Sequence, residues 1–143
     1  KIENLGLSLV TVLNLAGWSS KTTLKFRATA DGSSGFSESG SLDVIAIDTD
    51  SLAEGIEVNY IKMDIEGAEY GVLTSLQDYE IQDVNKWLIE FHENKNGEFM
   101  KLVERFLQLG FEIRVHNHTD QNKVVFPDEW NNTITGTMFA KKM

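Results

Sequence analysis

A chain of 143 residues with 41% hydrophobic and 24% charged side chains is expected to form one compact domain that buries roughly two thirds of its unfolded surface. Its formal net charge of -9, from 22 acidic and 13 basic residues, includes no Lys/Arg cluster able to neutralise a row of phosphates, which argues against nucleic acid as a partner. No apolar run approaches the ~20 residues needed to span a bilayer, so neither a membrane crossing nor a signal peptide is expected.

The first residue, Lys1, is not a Met, which is read as processing or truncation upstream. The absence of cysteine excludes disulfides, thiolate nucleophiles and zinc ribbons. It leaves the redox compartment open, and a cytoplasmic setting is the working expectation. Asn-x-Ser/Thr triplets begin at Asn117 and Asn131, but such triplets arise often by chance.

In chain order, residues 9–15 (Leu-Val-Thr-Val-Leu-Asn-Leu) read as a buried strand from their apolar, β-branched content. Residues 22–27 alternate as a half-exposed strand after the Ser19-Ser20-Lys21 turn. The stretch 31–41 is too rich in Gly and Ser to pack a core and is expected to be a mobile loop. Strands follow at 44–47 and 58–65. Gly67 opens a helix on which Ala68, Val72, Leu73 and Leu76 share a face. Residues 87–91 form a nearly continuous apolar run interrupted by Glu90, as a strand covered on both faces would be. The clearest helix spans 98–109, with Phe99, Leu102, Val103, Phe106 and Leu107 as its stripe and Gly110 placed for a left-handed cap. Strands at 111–115, 123–126 and 135–140 complete the chain, with Pro127 between the last two. Alternating strands and helices over 58–115 predict parallel crossover units. The expected class is α/β, mostly parallel, with an antiparallel C-terminal edge.

Chemistry concentrates where the strand 58–65 runs into its helix. Lys62 and Asp64 are two apart and share a strand face, where their charges can pair. Asp64 and Glu66 stand at the strand end, the side on which open α/β sheets bind ligands, and Gly67 permits a sharp turn. One interpretation is an ion pair plus a helix cap. On the next strand Glu90 and His92 also share a face. If the two strands are neighbours, Asp64, Glu66, Glu90 and His92 converge at one rim. Such a group can take a proton from an alcohol, or hold a divalent metal that makes the alcohol easier to deprotonate. His116 and His118 have ligand-like spacing, but their setting of Asn117, Thr119, Asp120 and Asn122 reads as a solvated turn.

The string Ile61-Lys62-Met63-Asp64-Ile65-Glu66-Gly67-Ala68-Glu69, followed by Val72-Leu73, resembles the "K-I-D-V-E-G-A-E … V-L" stretch of FkbM-family methyltransferases. Asp48-Thr49-Asp50-Ser51-Leu52 is similar to that family's "T-L-D-x-L", with Thr49 in place of Leu. Leu88-Ile89-Glu90-Phe91-His92 resembles its "I-x-x-E-x-H" strand, and Leu107-Gln108-Leu109-Gly110-Phe111 its "L-x-x-x-G-Y" helix end. The resemblance covers roughly residues 9–140 and implies a Rossmann-like class I sheet. It also implies methyl transfer from S-adenosylmethionine to a hydroxyl of a sugar or related small acceptor. Asp64 and Glu66 would lie at the reaction centre, Asp64 foremost as base or metal ligand, with Glu90 and His92 behind them.

The family's glycine-rich turn after the first strand, and the acid ending its second, have no counterpart here. The strand at 9–15 resembles the family's third, and in that fold the first and second lie between the third and fourth. The resemblance therefore implies the C-terminal, acceptor-side portion of an incomplete sheet, inactive alone and completed by a preceding segment or by a second copy. Two other classes fit the residues: a non-catalytic binding or assembly module on the same scaffold, and a carboxylate-lined metal hydrolase.

Overall fold

The computed structural model describes residues 9–29, 35–92, 97–118, 123–125, 127, 130 and 135–143. Residues 31–34 of the glycine-rich stretch, 119–122 of the polar turn, Phe126 and the Asn131 triplet lie outside them. The elements run β1 (Ala16–Gly17), β2 (Thr22–Arg27), β3 (Gly35–Phe36), β4 (Leu42–Ile47), α1 (Thr49–Ala53), β5 (Tyr60–Met63), α2 (Glu69–Ser75), α3 (Asp78–Asp83), β6 (Lys86–Phe91), α4 (Glu98–Gln108), β7 (Phe111–Asn117), β8 (Lys123–Val125) and β9 (Gly136–Lys142). They build two sheets, ordered β1-β4-β2-β3 and β5-β6-β9-β7-β8.

The five-stranded sheet carries the core. β5 lies parallel to β6 with Met63 opposite Ile89, as a short crossover between adjacent strands predicts. β9 is antiparallel to both β6 and β7 and sits between them, so β6 and β7 point the same way without touching. One face presents Met63, Trp87, Ile89, Phe91, Phe111, Ile113, Val115, Met138 and Ala140, all buried. Against this face pack Val72 and Leu73 of α2 and Phe99, Leu102, Val103 and Phe106 of α4. Phe91 stacks on Phe99 with centroids 4.0 Å apart, and Phe106 meets Trp87 edge-on at 5.8 Å. Each fully buried aromatic of this kind contributes about 1.5–3 kcal/mol. The opposite face carries Lys62, Glu112, Arg114 and His116, all exposed, as expected for a face without a helix layer. Gly136 begins β9 where a Cβ would run into the backbone carbonyl of His116, so only glycine lets β7 and β9 approach there.

Helix ends follow their local chemistry. α4 stops at Gly110, whose φ of 87° takes the left-handed cap conformation. α3 opens with a reciprocal capping box, the Gln77 side chain to the third-position N–H and the Glu80 carboxylate back to the Gln77 N–H. Asp48 caps α1 through the Ser51 N–H at 2.8 Å, a bond that holds its carboxyl below the usual range. No helix among the described residues is long and apolar enough to cross a membrane.

Several expectations are corrected. The fold is α/β, but its sheets are mixed, with parallel pairing among the described residues only at β1–β4 and β5–β6. The antiparallel strand β9 lies inside the sheet rather than only at an edge, because the last segment returns into the gap between β6 and β7. Residues 10–15 form no strand; Leu9 is 99%, Val12 63% and Leu13 55% exposed. An apolar run becomes a buried strand only where a neighbour covers it, and β1 reaches β4 only at Ala16 and Gly17. Within the supposed loop, Gly35–Phe36 pairs with β2, and a Cβ on Gly40 would lie 2.5 Å from the Phe26 backbone. That close contact is open to glycine alone. His116 belongs to β7 rather than to a turn, and the described turn starts at His118.

Candidate active site

β5 and β6 end side by side, and the residues just past each strand make the site. After Met63 the chain passes Asp64 and Ile65, then turns through Glu66 at φ 53° and Gly67 at φ 96°. A left-handed glycine is unstrained, whereas a left-handed glutamate costs about 1–2 kcal/mol. The turn is held from below by Glu69, the first residue of α2. Its carboxylate accepts the Ile65 N–H at 3.1 Å on Oε1, and the Gly67 N–H at 3.1 Å on each oxygen. From the end of β6, His92 places Nδ1 3.2 Å from Glu69 Oε1 and Nε2 3.6 Å from Glu66 Oε2.

Asp64, Glu66 and His92 each offer a ligand atom within 4.8 Å of the others. Two carboxylate oxygens and one imidazole nitrogen suit a divalent cation of the Mg, Mn or Zn kind, and bonds of about 2.0–2.2 Å would require these atoms, now up to 4.8 Å apart, to close by on the order of 1 Å. Asp64 also pairs with Lys62 at 2.9 Å, which raises the Lys62 ammonium above its ordinary value through that hydrogen bond and charge. Beside the carboxylates opens a cleft of about 250 Å³, walled by Trp18, just past β1, and by Leu24, Phe26 and Phe36 of the four-stranded sheet. Trp18 and Phe36 pack with centroids 5.2 Å apart.

Of the four residues singled out in the sequence, the structure brings together three. Glu90 stands opposite the continuation of β5, but its carboxylate turns to His118 Nδ1 at 3.6 Å, and His118 Nε2 meets Thr137 Oγ1 at 2.8 Å. Glu90 therefore joins a polar network on the open sheet face, outside the three-residue group, where its charge also acts on Lys62. His116 is exposed and takes no part in the three-residue group. Glu69 was not among the candidates, although it belongs to the same motif. Its signal was available: Glu69, Val72, Leu73 and Leu76 fall at i, i+3, i+4 and i+7, so a charge lies on the apolar face of the helix. Next to it, burial pushes the Tyr70 phenol well above its ordinary range, helped by the Glu69 charge.

A mixed α/β fold that gathers carboxylates and an imidazole at the ends of adjacent parallel strands has the layout of a small-molecule enzyme site. The family model described as the Methyltransferase FkbM domain matches residues 8–118, from before β1 to the end of β7. The chain belongs to the FkbM methyltransferase family. No curated protein and no solved structure matches it.

Proposed function

We propose that this chain is the C-terminal, acceptor-side portion of a Rossmann-like, S-adenosylmethionine-dependent O-methyltransferase acting on a hydroxyl of a sugar or related small acceptor. The observation that carries this reading is the grouping of Asp64, Glu66 and His92 within 4.8 Å, with Asp64 and Glu66 in the wall of an aromatic-lined cleft. An acceptor ring lies against Trp18 and Phe36 and presents its hydroxyl to that mouth. Asp64 is already engaged by Lys62, so the proton passes to His92 Nε2, and Asp64 and Glu66 orient the acceptor by accepting from its neighbouring hydroxyls. This moves the base from Asp64, the first choice from sequence, to His92. Orientation is the protein's other contribution, since a held oxygen reacts as part of one unit rather than by encounter.

The described residues do not fit the methyl donor. No Gly-x-Gly turn occurs in the sequence, and the outer edge of β5 pairs with no strand among the described residues. The cleft of about 250 Å³ also falls below the range of about 300–1,000 Å³ typical of cofactor-sized pockets. The donor side is assigned to a segment beyond these residues or to a second copy, and the chain alone is expected to be inactive. A divalent metal held by Asp64, Glu66 and His92 is the second reading, favoured by the donor set; it would make the acceptor hydroxyl more acidic.

Calorimetry on the full reading frame with S-adenosylmethionine, followed by methyl-transfer assays on His92→Gln and Asp64→Asn, tests the proposal. Binding heat is expected, with a loss of about 10²–10⁴-fold in rate for His92→Gln. No heat from the folded protein would remove the cofactor assignment, and full activity in His92→Gln would remove the base. Metal analysis of protein purified without chelator decides the second reading.

A further inference from the structure

Glu69 is the only charged side chain fully buried among the described residues, at 0% exposure. A carboxylate in such a place costs several kcal/mol unless donors surround it. The Ile65 and Gly67 N–H groups supply the first donors, at 3.1 Å. The remaining neighbour is His92 Nδ1, 3.2 Å from Oε1. A carboxylate offers only acceptors, so the ring nitrogen facing it must carry the hydrogen. A neutral imidazole with its proton on Nδ1 has a bare lone pair on Nε2. That nitrogen is the one turned to Glu66 Oε2 at 3.6 Å, on a ring that also offers a nitrogen within 4.8 Å of an Asp64 oxygen.

We infer that Glu69 is a positioning residue, whose buried carboxylate locks His92 in the Nδ1–H tautomer and so presents a bare Nε2 to the mouth formed by Asp64 and Glu66. One group thereby does two tasks. It staples the left-handed turn that carries Glu66, and it sets which nitrogen of His92 faces the acceptor. The same arrangement serves a metal, since a histidine ligand that binds through Nε2 commonly donates its other N–H to a carboxylate. The inference deepens the proposed acceptor site and its activity arm rests on that reading, whereas its tautomer arm does not.

The competing possibilities are that Glu69 only staples the turn, or that a protonated Glu69 donates to a bare Nδ1 and leaves the hydrogen on Nε2. Ring nitrogen resonances of the ¹⁵N-histidine-labelled chain distinguish them. The sequence has three histidines, and His92 is assigned from the signal lost in His92→Gln. Spectra are recorded with chelator at a pH about two units above the ordinary histidine value of about 6.5. A protonated-type Nδ1 and an unprotonated-type Nε2 are expected. An Nε2–H ring, or a ring carrying both protons, would overturn the inference without any variant being needed.

Two variants then separate lock from staple. In Glu69→Gln an amide oxygen in the place of Oε1 still accepts from both the Ile65 N–H and Nδ1–H, which meet that one oxygen, so the tautomer should persist, whereas Glu69→Leu leaves Nδ1 no acceptor. In folded Glu69→Leu the tautomer should reverse, and in the full methyltransferase kcat should fall about 10–100-fold with KM little changed. An Nδ1–H ring retained in folded Glu69→Leu would leave Glu69 as a staple only. A reversed tautomer combined with full activity in His92→Gln would uphold the lock and reject His92 as the base.

Discussion

The left-handed glutamate at position 66 makes a prediction whose sign separates strain from function. Replacing Glu66 by Ala or by Gly removes the same carboxylate, so any difference between the variants reports the backbone. Holding an alanine at φ 53° costs about 1–2 kcal/mol, and a glycine avoids this while losing about 0.5–1 kcal/mol more chain entropy on folding. Glu66→Gly should therefore be about 0.5–1 kcal/mol more stable than Glu66→Ala. The lost contact to His92 is small for both, since the Glu66 side chain is 48% exposed and such pairs are worth about 0–1 kcal/mol. With a urea m-value of about 1.5–2 kcal/mol/M for a chain of this size, the two midpoints should differ by roughly 0.3–0.6 M. Urea unfolding followed by circular dichroism measures this directly. Equal stabilities, or a less stable glycine variant, would put the strain at or below the about 0.5–1 kcal/mol entropy difference and refute the larger figure. The companion outcome is functional: both variants should lose the same share of methyl transfer, because neither keeps an oxygen at the mouth.

Further perturbations test the framework around the site. Arg105 of α4 donates to the Leu73 and Leu76 carbonyls at 2.8 and 2.6 Å and to Asp78 at 2.8 Å. Arg105→Met should cost about 2–4 kcal/mol by leaving two part-buried carbonyls without donors, measured as a lower urea midpoint. Gly136→Ala should cost about 1–3 kcal/mol through the clash with the His116 carbonyl, with faster amide exchange along β7 and β9. A net charge of -9 is expected to oppose contact between copies at the β5 edge, which no described strand covers, and at the exposed Leu9, Val12 and Leu13. Self-association of the isolated chain should rise as salt shortens the screening length from about 10 Å at 0.1 M to about 3 Å at 1 M. Light scattering that shows no salt dependence would reject that account.

What could be read from the residues divides by the range of the interactions involved. α4 and β6 were legible because an amphipathic stripe and an apolar run are properties of the segment itself. The run at 9–15 carried the same kind of signal yet stays exposed, because burial depends on a partner that the segment does not specify. The insertion of β9 between β6 and β7 is a long-range choice and left no local trace. α1 and α3 are too short to show a helical period, and only their caps, Asp48 and the Gln77–Glu80 pair, mark them. In the site, Asp64, Glu66 and His92 were legible from their place at two strand ends. Glu90 shares the same strand alternation, but its direction is set by His118, which arrives from β7.

The parts of the site differ in how much of the fold they need. Asp64, Glu66, Gly67 and Glu69 lie within one short segment, and His92, just past the neighbouring parallel strand, joins it through contacts to Glu69 and Glu66. That unit is held by short-range hydrogen bonds and by the packing of α2 against β6 and α4, all of it within the five-stranded sheet. Its geometry therefore does not depend on what lies beyond the free edge of β5. On the proposed reading the methyl donor does depend on it, since no Gly-x-Gly turn occurs in the sequence. A proton-handling group set by local bonds and a donor site set by sheet completion would then be separable. The His92 tautomer should accordingly be the same in the isolated chain and in any longer protein that contains it.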